Sequence, residues 1–270
     1  MKRQRAFTLV EMIVVIAITA IVATAVAVFI RYPVEGYADT VRRAELTDVA
    51  DVALRRIARD VRLALPNSLR VMSAGGVNYI EFIITQSGGR YRDPTDGSTG
   101  GNFLSFTNPA ATSFDVLGSR PAMSVNDFIV VYNLGVPGAD AYVGNNRAQV
   151  AAIAGNTVTL AANPFATQSP PLPSPGARFQ VVPGNVRAVT YACPQAVPGN
   201  LTRHWNYGFN ALQAVPAGGS QALLAQNATC DVEYQANATG RNGLLYIRLT
   251  LTAGGESVAL FNQIHVDNTP

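Results

Sequence analysis

At 270 residues, 48% hydrophobic and 14% charged, the chain is not a disordered protein, and it has room for one sizeable domain or two small ones. The formal charge of +3 comes wholly from Lys2, Arg3 and Arg5. Without those three the basic and acidic residues balance, so no basic surface for nucleic acid is implied.

The first element is apolar. From Met12 to Ile30 no charged residue occurs, and as a helix rising ~1.5 Å per residue this run comes close to the ~30 Å hydrocarbon core of a bilayer. Three cations precede it and only Arg31 follows directly. The positive-inside bias therefore keeps the N-terminus in the cytoplasm and sends everything after Tyr32 across the membrane. Glu11 is the odd residue. An ionised carboxylate in a bilayer helix costs at least ~2.5–3.5 kcal/mol on insertion scales, and marks function unless a partner is found. Removal of the basic leader just before Phe7 supplies a partner: an α-amino group one helical turn away, on the same chain or a neighbour. The stretch then reads as a site where helices assemble. A secretory signal peptide, with Ala23-Thr24-Ala25 or Ala25-Val26-Ala27 as A-x-A cleavage sites, and a plain signal anchor are the competing readings. Neither gives Glu11 a reason to be there.

At Tyr32-Pro33-Val34-Glu35-Gly36 a kink or a short unwound segment is expected, because Pro33 removes a backbone donor and Gly36 is a poor helix former. Helical spacing resumes near Thr40. Leu46, Ala50, Ala53, Leu54, Ile57, Val61, Ala64 and Leu65 form one apolar stripe. The other face is charged, with Asp51 and Arg55, then Arg56 and Asp60, four apart and opposite in sign, and it reads as a solvated face. Pro66 is the expected stop. The stripe needs a sheet to cover it, which gives an α+β fold: a leader (1–6), a transmembrane and assembly helix (7–31), its kinked amphipathic continuation (32–66), and a β-rich globular domain (67–270).

From Val77 onward short β-branched and aromatic runs alternate with Gly, Asn, Asp and Pro clusters. Strands are expected at 78–85, 102–106, 113–117, 127–132, 147–153, 157–160, 178–182, 186–193, 201–207, 231–234, 244–252 and 257–266. A short helix is expected at 220–227, where Ala222, Leu223, Leu224 and Ala225 favour it. Ser87-Gly88-Gly89 through Gly101 reads as a glycine-rich loop and Gln168 through Gly176 as a proline-rich one, within a loop-rich insertion of about 87–175.

Cys193 and Cys230 fall in the part that crosses into an oxidising compartment, so a disulfide is the expected state. Closing a loop of about 38 residues is worth roughly 4 kcal/mol in the chain-entropy model. No enzyme is expected: His204 and His265 have no Ser or Cys elbow, zinc-binding pair or carboxylate pair beside them. Asp93, Asp96 and Asn102 lack the order of a Ca²⁺ loop, and Gly88-Gly89 and Gly100-Gly101 lack the Lys of a phosphate loop. Neither a cofactor nor a metal is expected.

The string Arg5-Ala6-Phe7-Thr8-Leu9-Val10-Glu11 resembles the cleavage and methylation motif of type IV pilins and type II secretion pseudopilins. The resemblance implies cleavage between Ala6 and Phe7 by a prepilin peptidase, N-methylation of Phe7, and a Glu11 that pairs with the amine of the subunit ahead. The family's usual residue before the cut is Gly; here it is Ala6. Segments 42–48, 55–68, 189–193, 203–208, 223–227 and 265–270 are similar to minor pilin-like proteins of the mannose-sensitive haemagglutinin (MSHA) pilus. They imply a single-pass inner-membrane subunit with a periplasmic body, other minor and major pilins as partners, and a place near the pilus tip after assembly. The large body argues against a repeated shaft role, and the presence of Glu11 against the apex. A J-type minor pseudopilin of a type II secretion system is the nearest alternative. A singly anchored inner-membrane binding or adhesin domain is the alternative of another class, and it requires an unprocessed N-terminus.

Overall fold

One helix, α1 (Leu9–Arg62), carries the chain from the apolar N-terminal run into the body without a break. This computed structural model describes residues 8–97, 100–236 and 242–270, so Lys2, Arg3, Arg5, Ala6 and Phe7 lie outside the described residues. The expected unwinding at Pro33 and Gly36 does not occur, because the helix continues through both. Pro33 removes one hydrogen bond, that to the carbonyl four residues back, and Gly36 costs about 1 kcal/mol relative to Ala. Regular turns on either side hold the segment, since extending a helix is far easier than nucleating a second one. α1 ends at Arg62, short of Pro66.

The second half of α1 buries Ala50, Ala53, Leu54, Ile57, Ala58 and Val61. They lie on an antiparallel sheet of seven strands: β1 (Arg70–Ala74), β2 (Val77–Ile83), β9 (Ala188–Pro194), β10 (Gly199–Trp205), β11 (Ser220–Gln235), β12 (Asn242–Ala253) and β13 (Glu256–Asp267), adjacent in that order. Side chains alternate across the sheet. The helix side carries Ile80 and Phe82 of β2, Val189 and Tyr191 of β9, Leu245, Ile247 and Leu249 of β12, and Ile264 of β13, all packed into one core with α1.

β2 and β9 pair from Val77↔Pro194 to Ile83↔Ala188 like the arms of a hairpin, yet a second body is built between them. β3 (Ser87–Tyr91), β4 (Ser113–Leu117), β5 (Phe128–Val130), β6 (Arg147–Ala154), β7 (Thr157–Leu160) and β8 (Arg178–Val182) close into a barrel in the order β3-β4-β7-β6-β5-β8. Phe114, Phe165, Phe179, Ile129 and Val150 fill it. A third cluster, including Leu65, Ile83, Val130, Tyr142 and Val182, joins barrel, sheet and helix end. The Asn133 side-chain amide donates to Pro66 O at 2.7 Å and the Tyr142 hydroxyl to Ser68 O at 3.0 Å across the same junction.

Three expected elements differ. Residues 220–227 are not a helix but the first half of β11, which pairs with β10 on one side and β12 on the other. Residues 102–106 form no strand, although Asn102 O accepts from Asp115 N at 2.8 Å and Leu104 N donates to Arg92 O at 3.0 Å. Ser87-Gly88-Gly89 is strand, not loop, paired with β8. A Cβ on Gly89 would come 2.8 Å from Phe179 Cζ, so glycine there serves close approach rather than a turn.

Cys193 and Cys230 form a disulfide between β9 and β11, near the start of β10. Two register shifts occur in the β10–β11 pairing there. Cys230 sits inside β11 rather than before it. Replacing both cysteines by Ala is expected to cost roughly 2–5 kcal/mol, read as a lower urea midpoint of the detergent-solubilised full chain. An unchanged midpoint would remove the bridge from the account of stability.

Candidate functional site

The N-terminal end of α1 is built by local rules. Thr8 is the N-cap: Glu11 N donates to Thr8 Oγ1 at 3.3 Å, and Thr8 N donates to Glu11 Oε2 at 3.4 Å, a reciprocal capping box. Both contacts of the Glu11 side chain use Oε2. Oε1 has no partner among the described residues. The Phe7 amine, with which the sequence pairs it, and the cleavage position at Ala6 lie outside the described residues.

Leu9–Ile30 is long and apolar enough to cross a membrane. Every residue in it is exposed in the single chain. Its two threonines hide their polarity in the backbone: Thr19 Oγ1 donates to Val15 O at 2.6 Å and Thr24 Oγ1 to Ile21 O at 2.8 Å. Glu11 is then the one charge this surface offers to a bilayer or to another helix.

The helix is tied to the body by a polar network that its sequence pattern does not announce. Asp60, read as part of a solvated face, is buried, its side chain 6% exposed. Its Oδ2 accepts from Arg203 Nε at 2.7 Å and from the Tyr191 hydroxyl at 2.8 Å, while Arg56 Nε lies 3.4 Å from Oδ1. Burial, then the Asp60 charge, pushes the Tyr191 hydroxyl pKa up, so it stays a donor. Asp51 and Arg55, 2.8 Å apart, do sit on the exposed face as expected.

On the opposite face of the sheet Glu81 is also buried. Arg70 Nε is 2.9 Å from its Oε2 and the Tyr207 hydroxyl donates to Oε1 at 3.0 Å. Burial raises the Glu81 pKa, with Arg70 and Tyr207 opposing. Both networks are closed by their own partners, so they brace the fold.

The other polar residues singled out in the sequence are dispersed. His204 lies in β10 with Nε2 2.9 Å from Thr202 Oγ1, and burial lowers its pKa. His265 is exposed on β13. Asp93 Oδ1 accepts from Thr95 N at 2.8 Å, Asp96 lies 3.5 Å from Arg92 Nε, and Asn102 N donates to Asp115 Oδ2 at 2.8 Å. They form turns rather than one oxygen cage, and the described residues contain no cluster of three His, Cys, Asp or Glu placed to hold a metal.

Residues 1–27 match the family model of the prokaryotic N-terminal methylation motif. No curated protein and no solved structure matches the chain. The motif is that of type IV pilin-like prepilins.

Proposed function

We propose that the chain is a non-catalytic minor pilin, an MshO-type subunit of an MSHA-like type IV pilus that acts in pilus assembly near the tip. The observation that carries this reading is the exposed apolar helix with a single carboxylate, Glu11, at its start, within residues that match the methylation motif. Cleavage between Ala6 and Phe7 places a methylated amine where Glu11 of the next subunit can pair with it, so subunits held in the inner membrane gather through their helices. Pro33 and Gly36 give α1 a place to bend where it leaves the bilayer. The sheet and barrel then form a periplasmic body too large to repeat along a tightly packed shaft. Other minor and major pilins and the prepilin peptidase/N-methyltransferase are its partners.

The test is the mass of the membrane-purified protein. The expected N-terminus is Phe7 carrying one methyl group. A chain that keeps Met1, or that starts near Val26 to Val28, would replace this reading with a plain anchor or a cleaved signal peptide.

A further inference from the structure

The two edges of the seven-stranded sheet are treated differently. β1 is five residues long, and the segment after β10 closes over it: Arg70 donates to Asn210 O at 2.7 Å and to Ala211 O at 3.0 Å. β13 is twelve residues long and pairs with β12 from end to end without a register shift. The two strands are joined by the two-residue turn Gly254-Gly255, both with positive φ, +56° and +84°. From such a turn the pairing alternates. The backbone groups of even-numbered residues 256 to 266 face β12, and those of odd-numbered residues 257 to 265 face away from the sheet. Among the described residues, none of the latter backbone groups has a hydrogen-bond partner.

Natural edges of this length are blunted by Lys, Pro, a bulge or a covering segment. Residues 257 to 266 contain no Lys, Arg, Asp, Glu or Pro. What lies beside this strand is a cleft of about 470 Å³ between Asn262 and α1, lined by Arg55, Arg59 and Arg62. Arg55 is paired to Asp51, while Arg59 and Arg62 make no ion pair among the described residues. A row of unpaired N–H and C=O groups is matched by an extended strand, and the row of guanidinium groups beside it selects acidic side chains on that strand. A second copy of β13 is a poor occupant. Edge-to-edge pairing about a two-fold axis perpendicular to the sheet would put both helices on one face and bring two arginine rows together.

We propose that the β13 edge and the α1 arginines form a docking site for an extended, acidic segment from a neighbouring pilin-type subunit, added to the sheet as an eighth strand. The inference rests on the pilin reading above. It adds a body-to-body joint to the helix-to-helix one, and gives this subunit a means of choosing its neighbour by sequence.

The test uses the full chain in cells that make the pilus, with p-benzoylphenylalanine in place of Phe261, a residue 61% exposed beside the edge. The expected photo-crosslink joins a non-helical, acid-rich segment of another subunit that carries the N-terminal methylation motif. Ala259→Pro removes a donor on the open side without touching the β12 ladder. It is expected to cut the crosslink at least about tenfold while leaving the urea midpoint of the solubilised chain close to that of the parent. Arg59→Glu with Arg62→Glu is expected to do the same, and Leu260→Pro, which breaks the ladder, to lower both. A crosslink insensitive to Ala259→Pro, one to lipid or a helical segment, one to a second copy of this chain, or no crosslink in cells with normal pili overturns the docking site. An unprocessed Phe7 in the same cells instead points to failure of the pilin reading.

Discussion

Glu11→Leu is expected to insert into the membrane and be cleaved like the parent chain, and to leave cells with few or no pili and no minor pilins co-purifying. The charge costs at least ~2.5–3.5 kcal/mol in a bilayer helix unless it is neutralised. Leucine removes both that cost and the proposed attraction to the amine ahead. If pairing recovers the middle of that range, its loss weakens each joint by roughly a hundredfold. Because Glu11 also closes the Thr8 capping box within its own chain, a loss of pili could in principle come from a frayed helix start. Two further variants separate the causes. Glu11→Gln keeps a reciprocal cap, which accepts Glu or Gln, but lacks the charge. Thr8→Ala keeps the charge and loses about 1 kcal/mol of capping. Pilus counts are expected to collapse in Glu11→Gln and to stay near normal in Thr8→Ala. The opposite pattern would make Glu11 a helix cap and nothing more.

Asp60→Ala is expected to destabilise the body by about 3–5 kcal/mol, the range for breaking a buried ion pair from one side. For a domain whose whole stability is of the order of 5–15 kcal/mol, that is a large fraction. The cause is what remains: the Arg203 guanidinium, its side chain 10% exposed, would lose the carboxylate 2.7 Å away, and the Tyr191 hydroxyl would lose its acceptor. Asp60→Asn keeps the shape and an acceptor and is expected to cost less. The single tryptophan, Trp205, reports on the change, since the Arg203 guanidinium lies 4.9 Å from its ring. Urea unfolding of the solubilised full chain followed by Trp205 fluorescence measures it. A loss below about 1 kcal/mol would mean that apolar packing alone holds α1 on the sheet.

The apolar stripe of α1 was legible because Ala50, Ala53, Leu54, Ile57 and Val61 repeat at helical spacing and meet one continuous surface. Asp60 was not, since a carboxylate four residues from Arg56 looks the same whether water or Arg203 faces it; only the sheet brings residue 203 to residue 60. The first half of β11 misled for a related reason. Ala222-Leu223-Leu224-Ala225 has a local preference of a few tenths of a kcal/mol per residue for helix, and pairing with strands on both sides outweighs it. Gly88 and Gly89 read as loop because glycine is usually punctuation, whereas here the backbone oxygen of Phe179 lies against Gly88 and its ring against Gly89, where side chains would be. At the functional end the outcome reverses. The apolar run is local in sequence, and it forms the exposed helix that was expected of it.

The position of the barrel between β2 and β9 sets an order of events. Most of its pairings are nested, with β6 and β7 innermost, then β5 and β3 with β8, and outermost β2 with β9, while β4 with β7 crosses β5 with β8 to close the barrel. Each closure shortens the loop that the next must close, until Ile84 N and Arg187 O stand 3.1 Å apart and the sheet strands need only zip. The inserted body thus acts as a template for the sheet that carries it. At equilibrium the sheet is nearly blind to the insert's size, because doubling such a loop costs only about 0.6 kcal/mol. Chain enters and leaves the barrel at one point, so its outward face can lengthen or change shape while the register of the sheet stays fixed.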